Sequence, residues 1–150
     1  MEKLPFNPRL LIMFSDRIRE FYYWGSTRLA EIKLTPAQAK MLHFLADHEG
    51  LSQQDLATVF NQKPSTISEL LTSMEEENLI QRTINPKNKR MVFIVLSANG
   101  RDYAQKIFNM FGEYCIELCK DLSGEELKQL NNFLIKIAGD NPDVKTLPNY

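Results

Sequence analysis

The sequence has little of the material from which catalytic, cofactor and metal sites are usually built. Its 150 residues include only two cysteines, two histidines and six glycines. Cys115 and Cys119 stand one helical turn apart, which excludes a disulfide framework and a paired CxxC metal site. The sequence also lacks P-loop, HExxH, GxSxG and glycine-rich dinucleotide motifs. We therefore expect neither an enzyme nor a protein that holds a cofactor or a metal ion.

Long apolar segments and an excess of charge are also missing. No apolar run reaches the roughly 18 residues that a membrane-spanning helix needs. The first residues, MEKLPFNPRL, lack the basic-then-apolar order of a signal peptide. We therefore expect no membrane partner and a location in the cytoplasm. The formal net charge of −1 gives no overall attraction to nucleic acid, so any such binding must come from local clusters of cations.

Residues that start and end helices divide the chain into six predicted helices and one hairpin. Thr35 before Pro36 is a capping residue followed by proline at the first helical position, and the SGEE of residues 123–126 forms a capping box. LIQRTI and MVFIVL are rich in β-branched residues and flank the polar segment NPKNKR, which predicts a β-hairpin. The predicted helices cover residues 8 to about 32, 36 to about 48, 52–60, 64–78, 97 to about 122, and 123–139. The fold class is therefore mainly α with a small β-hairpin.

The fourth predicted helix has two chemically different sides. Plotted at about 100° per residue, Ile67, Leu70, Leu71 and Met74 fall on one side, whereas small hydroxylated residues and Glu69 fall on the other. Hydroxyl groups can donate to and accept from phosphates and base edges. The first turn also presents unpaired N–H groups and the positive end of the helix dipole, which favour an anion. This pattern favours a helix whose front enters the major groove of DNA, although Ser and Thr near a helix start also serve as simple caps.

The two ends of the chain carry apolar faces that a single copy does not easily bury. The first, fifth and sixth predicted helices each have a broad aromatic and aliphatic side. Left uncovered, these sides would form a larger apolar patch than soluble proteins usually expose. Packing against the same helices of a second copy buries them through a two-fold interface, so we predict a homodimer. The thiols of Cys115 and Cys119 are expected to be buried on one face of the fifth helix, with a redox or metal sensor as the alternative.

The residues around the start of the fourth helix resemble a helix-turn-helix pattern. Ala57, Asn61, Ile67 and Leu70 provide its small residue, its turn residue and its two packing residues. Asn61 occupies a position where glycine is more common, which is tolerable because asparagine accepts left-handed backbone angles. With the hairpin that follows, LSQQDLATVFNQKPSTISELLTSMEEENLIQRTINPKNKRMVFIVLS resembles the winged helix-turn-helix core of the MarR family of bacterial transcriptional regulators. The resemblance covers residues 34–105 closely and the flanking helices by order and length.

The resemblance implies a division of the chain and a function. Residues 34–97 would form the winged helix-turn-helix DNA-binding core, residues 1–33 and 98–140 the helical dimerisation region, and residues 141–150 a flexible tail. The chain would be a sequence-specific regulator of transcription, a homodimeric repressor that binds double-stranded DNA at a palindromic operator and is released by a small-molecule effector. A winged-helix module that contacts only proteins is the alternative.

In the MarR family, the helix that matches the fourth helix enters the major groove, and the hairpin forms a wing that approaches the minor groove or its phosphates. The recognition-helix candidates in this chain are Lys63, Pro64, Ser65, Thr66, Ser68, Glu69 and Thr72. The wing candidates are Arg82, Lys87, Asn88, Lys89 and Arg90. Many family members have a basic residue where Glu69 stands, and an aspartate where Asn85 or Asn88 stands. The preferred DNA site is therefore expected to differ from the family norm.

Family members often bind small aromatic or phenolic molecules in a cleft between the dimer helices and the DNA-binding core. The candidate pocket residues here are Phe14, Phe21, Tyr22, Tyr23, Trp24, His43 and Phe44. An aromatic run at helical spacing is also typical of a core or a dimer interface. Some relatives sense oxidants through a cysteine near the start of the first helix, which this chain lacks, and two histidines give little material for a zinc cluster.

Overall fold

A computed structural model describes residues 7–85 and 88–139, with side chains for residues 7–84 and 92–139. In this part of the chain, six helices and two strands follow one another in the order predicted from the sequence. The elements are α1 Pro8–Glu31, α2 Pro36–Asp47, α3 Gln53–Val59, α4 Pro64–Glu76, β1 Ile80–Asn85, β2 Asn88–Leu96, α5 Ala98–Leu118 and α6 Gly124–Ala138. The predicted fold class, mainly α with a small hairpin, is confirmed.

Local capping interactions set the starts of most helices. Ser52 forms a capping box with Asp55, and its hydrogen bonds hold the pKa of that carboxyl below its ordinary value. Ser123 forms the predicted capping box with Glu126 at the start of α6. α5 ends at Leu118, four residues earlier than expected, because the chain turns through residues 119–122 to reach the α6 cap.

The hairpin is a two-stranded antiparallel sheet. Its strands are longer than predicted, because Asn85 and Asn88 pair with each other across the end of the hairpin. Lys89 and Arg90 therefore lie in β2 rather than in the turn. The sequence pattern placed the strand ends at the last apolar residue, but backbone pairing does not need apolar side chains at the exposed end of a hairpin.

One hydrophobic core lies where the helices and the hairpin meet. Its fully buried large side chains are Met41, Leu42, Leu45, Leu56, Ile67, Leu71, Met74, Leu79, Ile80 and Ile94. The core also includes Leu29 from the end of α1 and both Ala104 and Ile107 from the first half of α5. α4 and the base of the hairpin are thus packed into one body. The division into a DNA-binding core and a dimerisation region stays a prediction.

The outer helices leave large apolar side chains exposed in a single chain. Met13 on α1 is 64% exposed and Ile137 on α6 is 81% exposed. Cys119 is partly buried but Cys115 is exposed, so the prediction that both thiols are buried is wrong for Cys115, which lines a cavity beside α5. Within residues 7–85 and 88–139, no helix combines the length and the apolar character needed to cross a bilayer.

Gly100 lets the start of α5 pack directly against the backbone that enters β1. A Cβ at this position would lie 1.8 Å from the carbonyl oxygen of Leu79. We expect Gly100→Ala to lower the free energy of unfolding by about 1–3 kcal/mol, because overpacking forces the backbone to shift. The matched control is Gly112→Ala in the same helix, where an added Cβ meets nothing within 4 Å. The control should raise stability by roughly 0.5–1 kcal/mol, and equal urea midpoints for the two variants would contradict this packing.

Candidate nucleic-acid interface

The turn between α3 and α4 has the backbone conformation that a helix-turn-helix needs. Asn61 has a φ of 48°, in the left-handed region, as its position in the pattern predicts. Ala57 is buried on the α3 side of the turn, and its carbonyl accepts a hydrogen bond of 3.0 Å from the N–H of Gln62. The chain therefore leaves α3 sharply and starts α4 at Pro64, only a few residues later.

α4 buries one side and exposes the other, as its sequence pattern predicts. Ile67, Leu71 and Met74 are at most 2% exposed, and Leu70 packs partly buried against the same core. The opposite side is the recognition face, which we define as Ser65, Thr66, Ser68, Glu69 and Thr72. Ser68 is partly buried and the other four residues are exposed. Because the apolar side of α4 is packed in the core, the recognition face points outward and is accessible to another molecule.

The N-terminus of α4 differs from those of the other described helices. A side chain caps the starts of α1, α2, α3, α5 and α6, but no side chain caps α4. Lys63 occupies the N-cap position and Pro64 follows it in the first turn. The N–H groups of this turn have no partner within the helix, and the exposed Lys63 stands beside them. Together with the helix dipole, these groups make the front of α4 suitable for a phosphate.

The acidic rear of α4 is bound to neighbouring elements. Nη1 of Arg82 in β1 donates to Oε2 of Glu75 over 2.5 Å, and the two side chains are 31% and 39% exposed. The side-chain amide of Gln38 in α2 donates to Glu77 just past the end of α4. Of the three acids Glu75, Glu76 and Glu77, the first and the last therefore hold α4 to the hairpin and to α2, which the sequence did not indicate. Arg82, expected to contact DNA from the base of the wing, has its charge paired with Glu75.

Three of the five predicted wing residues lie in the outer part of the hairpin. Asn88, Lys89 and Arg90 lie in β2, but their side chains fall outside the described part of the structure. Lys87 lies outside the described residues altogether. Only Arg82, in β1, has a described side chain among these five. The structure therefore packs β1 of the hairpin against α4 and leaves the DNA contacts of the wing as predictions.

A cavity of about 540 Å³ lies between α1, α2 and α5. Among the residues predicted to form an effector pocket, Phe21, Tyr22 and His43 line it. The predicted residues that do not line it are Phe14, Tyr23, Trp24 and Phe44. The lining residues that the sequence did not indicate are Gly25, Ser26, Leu29, Pro36, Ala39, Lys40, Ile107, Phe108, Phe111, Gly112 and Cys115.

Phe14 and Trp24 lie outside the cavity for different reasons. Phe14 stands about two helical turns before Phe21 on α1, and it is 47% exposed. Trp24 packs in an aromatic cluster instead, with its ring centroid 4.6 Å from that of Tyr114 and 5.8 Å from that of Phe111. Since Phe21 and Phe111 also line the cavity, the indole ring of Trp24 contacts the cavity wall from behind.

The thiol of Cys115 contributes an apolar rather than a reactive group to the cavity. Partial desolvation of its sulfur beside the cavity raises the pKa of this thiol, and the neighbouring Cys119 adds to the rise. At neutral pH the thiol is therefore protonated, which makes it a poor nucleophile and a poor metal ligand. Across residues 7–85 and 88–139, no three His, Cys, Asp or Glu side chains gather closely enough to hold a metal ion.

Comparisons with known proteins find relatives both by sequence and by structure. The sequence profile of the MarR family matches residues 34–92, which run from just before α2 into β2. The HTH-type transcriptional repressor MdtR of Bacillus subtilis is 28% identical over 105 residues, which cover 70% of this chain and 68% of MdtR. The transcriptional regulator HosA of Escherichia coli O111:H- is 30% identical over 93 residues, which cover 62% of this chain and 69% of HosA. A mutant of S. aureus MepR bound to an oligodeoxyribonucleotide has a TM-score of 0.65 and 27% identity, over 88% of this chain and 96% of that one.

Proposed function

Because the chain belongs to the MarR family and is a DNA-binding transcriptional regulator, we propose that it works in the cytoplasm as a homodimeric repressor on a palindromic operator. The observation that carries this proposal is the exposed recognition face of α4, which Ile67, Leu71 and Met74 back from the core. A relative named as a repressor and a relative bound to DNA support it. These relatives do not support the alternative, a winged-helix module that contacts only proteins.

In this proposal, the front of α4 enters the major groove. Ser65, Thr66, Ser68 and Thr72 offer hydroxyl groups to base edges and phosphates. The uncapped first turn binds a phosphate through its N–H groups. Glu69 accepts a hydrogen bond from the amino group of a cytosine. Its carboxylate repels base edges that present only acceptors, which narrows the set of DNA sequences that are bound.

The wing supplies the cations that grip the sugar-phosphate edge. Lys87, Lys89 and Arg90 stand within a few residues of one another in the sequence. Residues 52–97 hold five cations and five acids, so this segment is neutral and its affinity depends on where the cations stand. Glu75 and Glu77 are bound at the rear of α4, so their charges are kept from the front of the helix.

A second copy covers the exposed apolar sides of the outer helices. α6 buries no residue in a single chain, although Leu134 and Ile137 belong to an apolar side of it. Met13 on α1 and Ile116 on α5 are 64% and 74% exposed. A two-fold interface buries the same sides of both copies. It also presents two α4 helices at a fixed spacing, which suits two successive major grooves.

The cavity between α1, α2 and α5 receives a small aromatic effector. Its volume of about 540 Å³ lies within the roughly 300–1,000 Å³ of small-molecule sites. The aromatic walls bury a ring, while Ser26, Lys40 and His43 supply the few polar groups that fix its orientation. Because α2 also bonds to the rear of α4, an occupant that binds better to a shifted α2 favours a conformation in which α4 no longer fits DNA.

Arg90→Ala tests the wing. Removing one phosphate-binding cation per copy should weaken binding to every DNA sequence and reduce the slope of log affinity against log salt by about one per copy. By contrast, Ser68→Ala and Thr72→Ala remove hydroxyl groups from the recognition face, so they should mainly change which DNA sequence is preferred. Lys120→Ala, which removes a cation paired with Glu117 at the end of α5, is the control and should change neither quantity. Mobility shifts at two salt concentrations measure both effects, and an unchanged affinity and slope for Arg90→Ala would rule out the wing assignment.

Ile137→Lys tests the dimer. A charge placed on the apolar side of α6 should separate the copies, because an unpaired charge is costly to bury in an interface. The mass from light scattering at micromolar concentration should fall from twice 17.4 kDa towards the mass of one chain. Asn132→Lys lies on the opposite side of the same helix and should leave the dimer intact. A wild-type mass equal to one chain would contradict the homodimer.

Fluorescence of Trp24 tests the effector cavity. Titration with a panel of small phenolic molecules should give a saturable change for at least one of them, because the indole contacts residues of the cavity wall. Gly112→Leu should abolish this change, since position 112 lines the cavity and has free space for a side chain. Gly124→Leu also has free space but lies in α6, away from the cavity lining, so it is the control. A flat signal across the panel for the wild-type chain would argue against an aromatic effector.

A further inference from the structure

Glu75 and Glu77, at the C-terminal end of α4, do not belong to the recognition face, yet both accept hydrogen bonds from neighbouring elements. We propose that Gln38 in α2 is a positioning residue that, through Glu77, fixes the angle at which α4 presents its recognition face to DNA. This inference rests on the proposed DNA contacts of that face. It assigns to two residues outside the interface a role in how well the interface discriminates between sequences.

Gln38 is a buried polar residue, and both the oxygen and the nitrogen of its side-chain amide form hydrogen bonds. It is 4% exposed, and its Oε1 accepts from the N–H of Thr35 at 2.8 Å and from Oγ1 of Thr35 at 3.1 Å. Its Nε2 donates to Oε1 of Glu77 over 2.9 Å. Oγ of Ser73 donates to the same carboxylate oxygen at 2.9 Å. Any movement of the end of α4 away from α2 would therefore leave a buried amide without a partner, which is costly.

The hydrogen bond between Gln38 and Glu77 has a fixed direction. Thr35 presents donors to one end of the amide, and the carboxylate of Glu77 presents only acceptors to the other. A charged acceptor also makes this bond stronger than one between neutral groups. The amide thus joins the N-terminal cap of α2 to the C-terminal end of α4 in a single arrangement.

A second bond holds the rear of α4 from another side. Glu75 accepts from Arg82 of β1, so α4 is tied at its rear both to the hairpin and to α2. Ser65 in the recognition face lies 12 residues before Glu77, which is about 18 Å along a helix axis. A rotation of about 10° about the rear would displace the front of α4 by roughly 3 Å over that length. Such a displacement is as large as a hydrogen bond itself, so it would break contacts to base edges.

Base contacts and phosphate contacts respond differently to such a displacement. Hydrogen bonds to base edges need a fixed position and carry the sequence information, whereas phosphate contacts to flexible cations carry little of it. Loosening the bond between Gln38 and Glu77 should therefore reduce binding to the preferred site more than binding to random DNA. The ratio of these two affinities separates a positioning role from a general loss of folded protein, because unfolding lowers both affinities together.

Gln38→Glu is the main variant. The new carboxylate keeps the acceptors for Thr35 but meets the carboxylate of Glu77, so the link becomes repulsive. We expect affinity for the preferred site to fall about tenfold, with a change below about twofold for random duplexes. Adding Glu77→Gln to the same chain reverses donor and acceptor across the link, and should restore the ratio of affinities. Glu77→Gln alone keeps an acceptor for Gln38 and should remain close to wild type.

Two further variants serve as a control and as a replacement for Gln38→Glu. Arg101→Ala removes a partner of Glu49 in an ion pair between other elements, and it should leave the ratio of affinities unchanged. If Gln38→Glu does not fold, Gln38→Met replaces the amide by an apolar side chain of similar length and should lower the ratio in the same way. Thermal unfolding of each variant shows which samples are folded.

The outcomes distinguish this inference from the proposed function. A wild-type chain that prefers no DNA sequence would remove the proposed function, and the inference with it. A wild-type preference that stays unchanged in folded Gln38→Glu or Gln38→Met would overturn the inference alone. A ratio that falls in Gln38→Glu but does not recover when Glu77→Gln is added would also overturn it, because the loss would not depend on this link.

Discussion

The burial of one side of α4 is the constraint on which the candidate DNA-binding surface depends. Ile67, Leu71 and Met74 are almost fully removed from water, and each buried side chain of this kind contributes about 1.5–3 kcal/mol relative to an exposed one. Rotating α4 about its axis would expose them, so the hydroxylated side has no alternative but to face outward. The same core holds Ile80 and Ile94 at the base of the hairpin, so α4 and the hairpin belong to one packed body.

The charges of this region act through their positions rather than their sum. The front of α4 has an uncapped N-terminus beside Lys63, which suits an anion. Acids follow at the rear of the helix, where Glu75 is paired with Arg82 and Glu77 accepts from Gln38. Carboxylates that would repel a phosphate backbone at the front thus serve at the rear as hydrogen-bond acceptors that join three elements. In the proposed binding mode, a neutral segment therefore presents a cationic edge to DNA without any excess of positive charge.

Most of the fold could be predicted because its signals act over a few residues. Capping boxes and the left-handed Asn61 depend on neighbours three or four positions away, and the sequence displays those neighbours directly. The link between Gln38 and Glu77 could not be predicted, because it joins residues 39 positions apart that belong to no periodic pattern.

The lining of the cavity could likewise be predicted only in part, because it also depends on contacts between residues far apart in the sequence. Helical periodicity places Phe21 and Trp24 on one side of α1, but only the packing against α5 decides that Phe21 lines the cavity and Trp24 does not.

The central claim is that a two-fold molecule places two copies of the recognition face in successive major grooves. Selection of bound duplexes from random DNA tests this claim most directly, because it needs no knowledge of the regulated genes. We expect enrichment of a two-fold symmetric site whose half-sites are centred about one helical turn apart, or roughly 10 base pairs. Enrichment of a single unpaired half-site, or of no sequence at all, would contradict it.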